Sequence, residues 1–354
     1  MSLLEQTVAI ITGQDQTWRR QARARLDQLA IPHWALGRLM DLALDLAGQT
    51  RALPPPVSRK VIITMAGDHG VAAEGVSKFP QDVTPQMVAN FARGGAGINV
   101  LARQAGADVL VVDMGVAADL SALTARGEVV DKKVAMGTAN MAQGPAMSRE
   151  EAVRAVEAGI EVVNELAADY DIFGTGDMGI ANTTPSSAIV AALTGRDVAE
   201  VTGRGTGLDD RQVAAKIAVI NRALEINRPN PADGLDVLGK VGGFEIGGIA
   251  GVIIGAAALH KPVVVDGFIS TAGALIAQSL APMTAEYIIA AHRSMENGHG
   301  VMQAHLKCEP LLDLNLRLGE GTGAALAMHL VEAAARIVSE VATFEEAAVA
   351  GADK

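Results

Sequence analysis

Residues 60 to 70 read Lys60-Val61-Ile62-Ile63-Thr64-Met65-Ala66-Gly67-Asp68-His69-Gly70. A continuous apolar run with β-branched residues, closed by Gly-Asp, is the pattern of a strand buried on both faces, and such strands belong to parallel sheets covered by helices. Three further runs of the same kind follow at Asp108 to Val112, Tyr170 to Phe173 and Pro262 to Val265. Between them lie helical patterns with start signals. Ser148 with Glu151 forms a capping box before Arg149 to Ala168, Thr184-Pro185 fits an N-cap and first helical position, and Asp209 with Gln212 opens the helix that carries Lys216. Strands alternating with helices predict an α/β fold, an open doubly wound and mostly parallel sheet flanked by helices.

Outward from this sheet the character changes. Gln14 to Leu29 and Trp34 to Ala47 have helical spacing and end at Pro54-Pro55-Pro56, and the region from Thr322 to about Val341 is again helical. The expected organisation is a helical head over 1–56, a large α/β domain over 57–320, and C-terminal helices over 321–354 that pack with the head as a smaller domain. In doubly wound sheets ligands bind beyond the carboxyl ends of strands. That directs attention to Asp68-His69, Asp113, Gly174 to Gly179 and Asp266-Gly267.

Composition narrows the function. A formal charge of -11 argues against nucleic acid, which is bound through basic surfaces. No apolar stretch reaches the 18 or so residues of a membrane helix, the longest running from Gly247 to Leu259, and the N-terminus lacks a basic segment followed by an apolar one. Cys308 is the single cysteine, so no intrachain disulfide forms. The expectation is a soluble, cytoplasmic enzyme acting on small charged molecules. The histidines show no HExxH or comparable ligand spacing, which predicts no metal.

Gly-Thr-Gly occurs at 174–176, 205–207 and 321–323, and bare amides before helices suit anions. Asp177 and Glu320 place a carboxylate in two of these segments, with Arg317 beside the second and Arg204 and Lys216 near the third. A pair of carboxylates in one cleft can divide acid and base work. The plainer role of an acidic residue near a helix start is worth only roughly 0.3–1 kcal/mol. Gly174-x-Gly176-x-x-Gly179 also matches a dinucleotide fingerprint, with Asp197 as a ribose partner, which raises a nicotinamide-dinucleotide oxidoreductase as an alternative. Against it, Ile180 to Thr184 separate the glycines from the helix that should receive the pyrophosphate. A non-catalytic phosphoribosyl-ligand sensor is the other alternative.

Several long segments taken in order resemble the nicotinate-nucleotide:dimethylbenzimidazole phosphoribosyltransferase family over nearly the whole chain. They are Gly67-Asp68-His69-Gly70-Val71 with Glu74-Gly75-Val76-Ser77, Gly174 to Thr184, Thr202 to Gly207, Val241-Gly242-Gly243-Phe244-Glu245-Ile246, Val264-Val265-Asp266-Gly267-Phe268, His292 with Ser294 and Glu296, and Leu311 to Gly323. The resemblance implies transfer of phosphoribose from nicotinate mononucleotide to 5,6-dimethylbenzimidazole or a related base, without a cofactor, by a homodimer. It implies Glu320 as general base, and Gly203, Arg204, Gly205, Lys216 and Arg317 around the 5′-phosphate. Gly176, Asp177, Met178 and Ser294 would lie near nicotinate and ribose, and Phe79, Gln86, Met87 and Leu318 around the acceptor base. Two departures stand out. Asp177 replaces a glutamate common in the family, and Phe79 and Met87 replace polar residues that some members place against the base.

Overall fold

The computed structural model describes residues 1–350. The last four residues of the expected C-terminal segment lie outside them. Six parallel strands, β1 (Lys60–Gly67), β2 (Ala107–Gly115), β3 (Val130–Asp131), β4 (Ile172–Met178), β5 (Val263–Val265) and β6 (Ile288–Ala290), form one sheet in the order β3-β2-β1-β4-β5-β6. The order reverses between β1 and β4, which makes the carboxyl ends of those two strands the crevice where a doubly wound sheet binds ligands.

Alternation along β1 shows how the sheet is covered. Val61, Ile63 and Met65 point into one core, shared with the Arg149–Leu166, Phe244–Ala258 and Phe268–Leu280 helices. Ile62 and Ala66 point into the other, shared with the Arg38–Thr50, Gly97–Ala105 and Thr322–Glu340 helices. The N- and C-terminal segments meet directly. Ala30 N donates to Ala342 O at 2.9 Å, and Phe344 N donates to Gln28 O at 3.0 Å.

Three differences from the sequence reading bear on the site. First, β4 runs on to Met178, so Gly174-Thr175-Gly176 is strand and not an anion-binding loop. Its even positions face the Thr322–Glu340 helix, and both glycines serve to let that helix and the turn before it lie on the sheet. A Cβ at Gly174 would press on Met328, and one at Gly176 would overlap the Glu320 carbonyl. Second, the next helix is Thr183–Thr194 with Asn182 at its N-cap, not Thr184, because Asn182 N already donates to Gly179 O at 3.2 Å and closes the turn. Pro185 still removes only an N–H that has no partner in a first turn. Third, β3 has only two residues, and β6, three residues like β5, lacks the Asp-Gly boundary that marks β5, so neither registers as a run.

Candidate active site

A cavity of about 550 Å³ opens beyond the carboxyl ends of β4 and β5. Of the residues expected at a site, Phe79, Met87, Asp177, Met178, Gly205, Ser294, Arg317, Leu318 and Glu320 line it. A second cavity of about 610 Å³ takes Gly203 and Arg204 and shares Gly205, Glu296 and Arg317 with the first.

Glu320 is held by backbone geometry. Gly319, Glu320 and Gly321 have φ of +81°, +65° and +100°, so a non-glycine residue is kept in the left-handed region between two glycines. Such a conformation costs about 1–3 kcal/mol and persists only where neighbours fix it. Here Glu320 N donates to Asp177 O at 3.2 Å, and Glu320 O accepts from Thr64 Oγ1 at 2.9 Å. The carboxylate, 6% exposed, accepts from Ile98 N at 3.0 Å. Burial raises its pKa above the usual glutamate value, the Ile98 amide works against that, and buried Asp266 adds to it.

Asp266 explains why Gly321-Thr322-Gly323 is not an anion loop either. Its Oδ2 accepts from Gly321 N at 3.1 Å, and its Oδ1 from Gly323 N at 2.7 Å and Ala324 N at 3.0 Å. The donors at this helix start are thus taken by a carboxylate of the protein. Asp197, the expected ribose partner, caps a short helix by accepting from Ala199 N at 2.8 Å. The dinucleotide reading therefore loses both its glycine loop and its acidic residue.

The remaining candidates divide. Asp177 has one oxygen accepting from Asn182 Nδ2 at 2.9 Å and the other without a partner, and burial with the neighbouring Asp266 pushes its pKa well above the usual aspartate value. Lys216 is fully buried and donates to Thr183 Oγ1 at 2.6 Å, and burial lowers its pKa to about 8, opposed by Glu296. Arg204 turns outward to Asp210 and to Leu208 O, so it braces the loop and does not reach the first cavity. Gln86 is exposed on the Val83–Ala92 helix and Gly176 lies beneath Glu320, and neither lines the cavity.

Sequence reading missed several supporting residues. His299 Nδ1 accepts from Ser294 N at 2.8 Å and its Nε2 meets Thr271 Oγ1 at 2.9 Å. Burial holds its pKa at about 3, so it is a neutral clamp on Ser294. His292 lines the cavity with Nε2 3.7 Å from Asp266. Asp266, marked by its position after a strand, and His292, part of a resembling segment, take their roles only from the structure. Among the described residues no group of three or more His, Cys, Asp or Glu is placed to hold a metal ion, and no helix is long and apolar enough to cross a membrane.

Known proteins resemble this chain over almost its whole length. A family model described as Phosphoribosyltransferase matches residues 11–349. The nicotinate-nucleotide–dimethylbenzimidazole phosphoribosyltransferase of Syntrophotalea carbinolica is 65% identical over 349 residues, covering 99% of each chain. The chain belongs to the nicotinate-nucleotide–dimethylbenzimidazole phosphoribosyltransferase family. The relative of the same name in Desulfotalea psychrophila is 60% identical over 355 residues and 100% of both chains. The crystal structure of CobT from Thermus thermophilus superposes with a TM-score of 0.91 at 46% identity, covering 95% of this chain and 100% of that one. As a member of this phosphoribosyltransferase family the protein is an enzyme, a transferase.

Proposed function

We propose that the protein transfers the phosphoribosyl group of nicotinate mononucleotide to 5,6-dimethylbenzimidazole or a related base, releasing nicotinate and forming α-ribazole 5′-phosphate. The observation that carries the reading is the buried Glu320 carboxylate on the wall of a cavity also lined by apolar Phe79, Met87 and Leu318 and by Arg317, with buried Lys216 bonded to Thr183 of the same lining. The names of the relatives agree with it.

In this reading the base lies against the apolar side with one ring N–H toward Glu320. Glu320 takes that proton while the other ring nitrogen attacks C1′ of the mononucleotide. The bond from C1′ to nicotinate breaks on the opposite face, its electron pair neutralises the pyridinium, and β becomes α. A raised carboxylate pKa brings the base closer to the working pH, which improves proton transfer. Arg317, Lys216 and the amides of Gly203 to Gly205 hold the 5′-phosphate, and Ser294, clamped by His299, lies near the ribose. Asp177, with burial favouring its neutral form, stands near the nicotinate as a hydrogen-bond donor.

A cytoplasmic homodimer acting on small molecules and not on nucleic acid completes the reading, and sedimentation measures the assembly. Incubating purified protein with both substrates should give nicotinate and the α-anomer, read by proton NMR. Folded protein that yields neither would refute the proposal.

A further inference from the structure

Glu296 is 8% exposed and stands on the ridge between the two cavities, lining both. One carboxylate oxygen, Oε2, is sealed against the Gly203 backbone with no hydrogen-bond partner, so closely that a side chain at 203 would overlap it. The groups that favour its charged form are Lys216, the Gly205 amide and Arg317, set against burial, which disfavours it and raises its pKa. These are the same groups that the reading above gives to the 5′-phosphate. The phosphate cradle therefore already faces a carboxyl group of the protein's own.

A carboxylate and a phosphate dianion that share the Lys216 ammonium, the Arg317 guanidinium and one loop of amides repel each other. The backbone leaves the carboxylate little room to withdraw. Asn297 Nδ2 donates to Thr202 O at 3.2 Å, His299 N donates to Glu296 O at 3.0 Å, and a side chain at Gly298 would press on Val201. We infer that Glu296 sets the charge accepted by the phosphoribosyl subsite: the 5′-phosphate binds with Glu296 protonated, so that one proton enters the protein with the ligand. Once protonated, the carboxyl becomes a donor to the phosphate, an O–H···O⁻ bond stronger than a neutral one. The inference rests on the proposed function, which supplies the phosphate.

The other titratable and charged groups on the surrounding elements are few. On the Asp210–Asn227 helix buried Lys216 faces the site and Asp210 lines the second cavity, while Arg211, Arg222 and Glu225 line neither; the loop before it carries Arg204, paired with Asp210, and Asp209, which caps the helix. Arg317 and Glu320 come from the turn before the last helix, Asp177 from β4, and His292, Arg293 and neutral His299 from the segment after β6. Lys216, with a pKa of about 8, also gains a proton from a bound phosphate, but chiefly at more alkaline pH. The phosphate itself titrates near 6. At pH 7 both contributions are small.

Calorimetric titration with nicotinate mononucleotide at pH 7, in buffers of differing ionisation enthalpy, counts the protons taken up. Wild type should take up about one, Glu296→Gln close to none, and nicotinate riboside, which lacks the phosphate, should bind wild type without uptake. Above pH 7 the wild-type Kd should weaken by up to about tenfold per pH unit, while the Gln variant stays flat until Lys216 titrates. Binding to wild type without uptake, or uptake unchanged in the variant, would overturn the inference alone. If the variant does not fold, the riboside comparison and the wild-type slope decide. Failure of folded wild type to bind the mononucleotide would overturn the proposed function and this inference with it.

Discussion

The carbonyl oxygen of Glu320 rests directly on the Cα of Gly176, leaving no space for a β-carbon. The acid at the site is thus positioned by a glycine in the middle of a strand. Gly176→Ala should lift the turn that carries Glu320, costing about 1–3 kcal/mol in stability. Turnover should fall further than folding does. Thermal melts and kcat/KM measured side by side check this, and a fully active variant would contradict it.

Asp266 binds three amides at the start of the last helix. Asp266→Asn replaces an acceptor by an amide nitrogen facing other donors, leaving buried groups unpaired. Denaturant unfolding should show a loss of at least about 1–3 kcal/mol, and equal stability would remove Asp266 from this role.

Asp177 has a folded pKa well above the ordinary aspartate value of 3.8. A raised carboxyl binds its proton more tightly in the folded than in the unfolded state, so its stabilising contribution is complete below 3.8 and is lost as pH rises through the folded value. Wild-type stability should decline across that window. Asp177→Asn lacks the decline, so the two melting curves should diverge upward from about pH 4. Parallel pH profiles would count against it.

Phe79 and Leu318 are 52% and 61% exposed at the cavity rim, large apolar side chains without cover. An aromatic base would cover them. Each methyl group on the base that becomes buried should add about 0.8 kcal/mol, roughly fourfold in affinity. Comparing benzimidazole with its 5-methyl and 5,6-dimethyl forms tests this, and Met87→Gln should flatten the series.

The fold was legible because a strand buried on both faces must be apolar throughout, and β1 and β2 are long enough to show it. β3 and β6 were not, since β3 has only two residues and β6, as short as β5, lacks the Asp-Gly boundary that marks β5. Glu320, Arg317 and Lys216 could be marked because charge among glycine and apolar residues is conspicuous. What sequence could not give is how each Gly-Thr-Gly is used. One clears a strand for a backbone crossing, one is capped by Asp266 from 55 residues away, and one remains a loop at the cavity. Local pattern is the same in all three, and only tertiary packing separates them. His299, Thr271 and the Ile98 amide were invisible for the same reason.

In the proposed reaction Glu320 removes the proton from the attacking base. The most direct measurement is the single-turnover rate of wild type and Glu320→Gln with both substrates saturating. Both substrates should bind the variant unchanged, and its rate should be lower by about 10²- to 10⁴-fold, with the acid limb of the wild-type pH profile absent. Equal rates in the two proteins would contradict it.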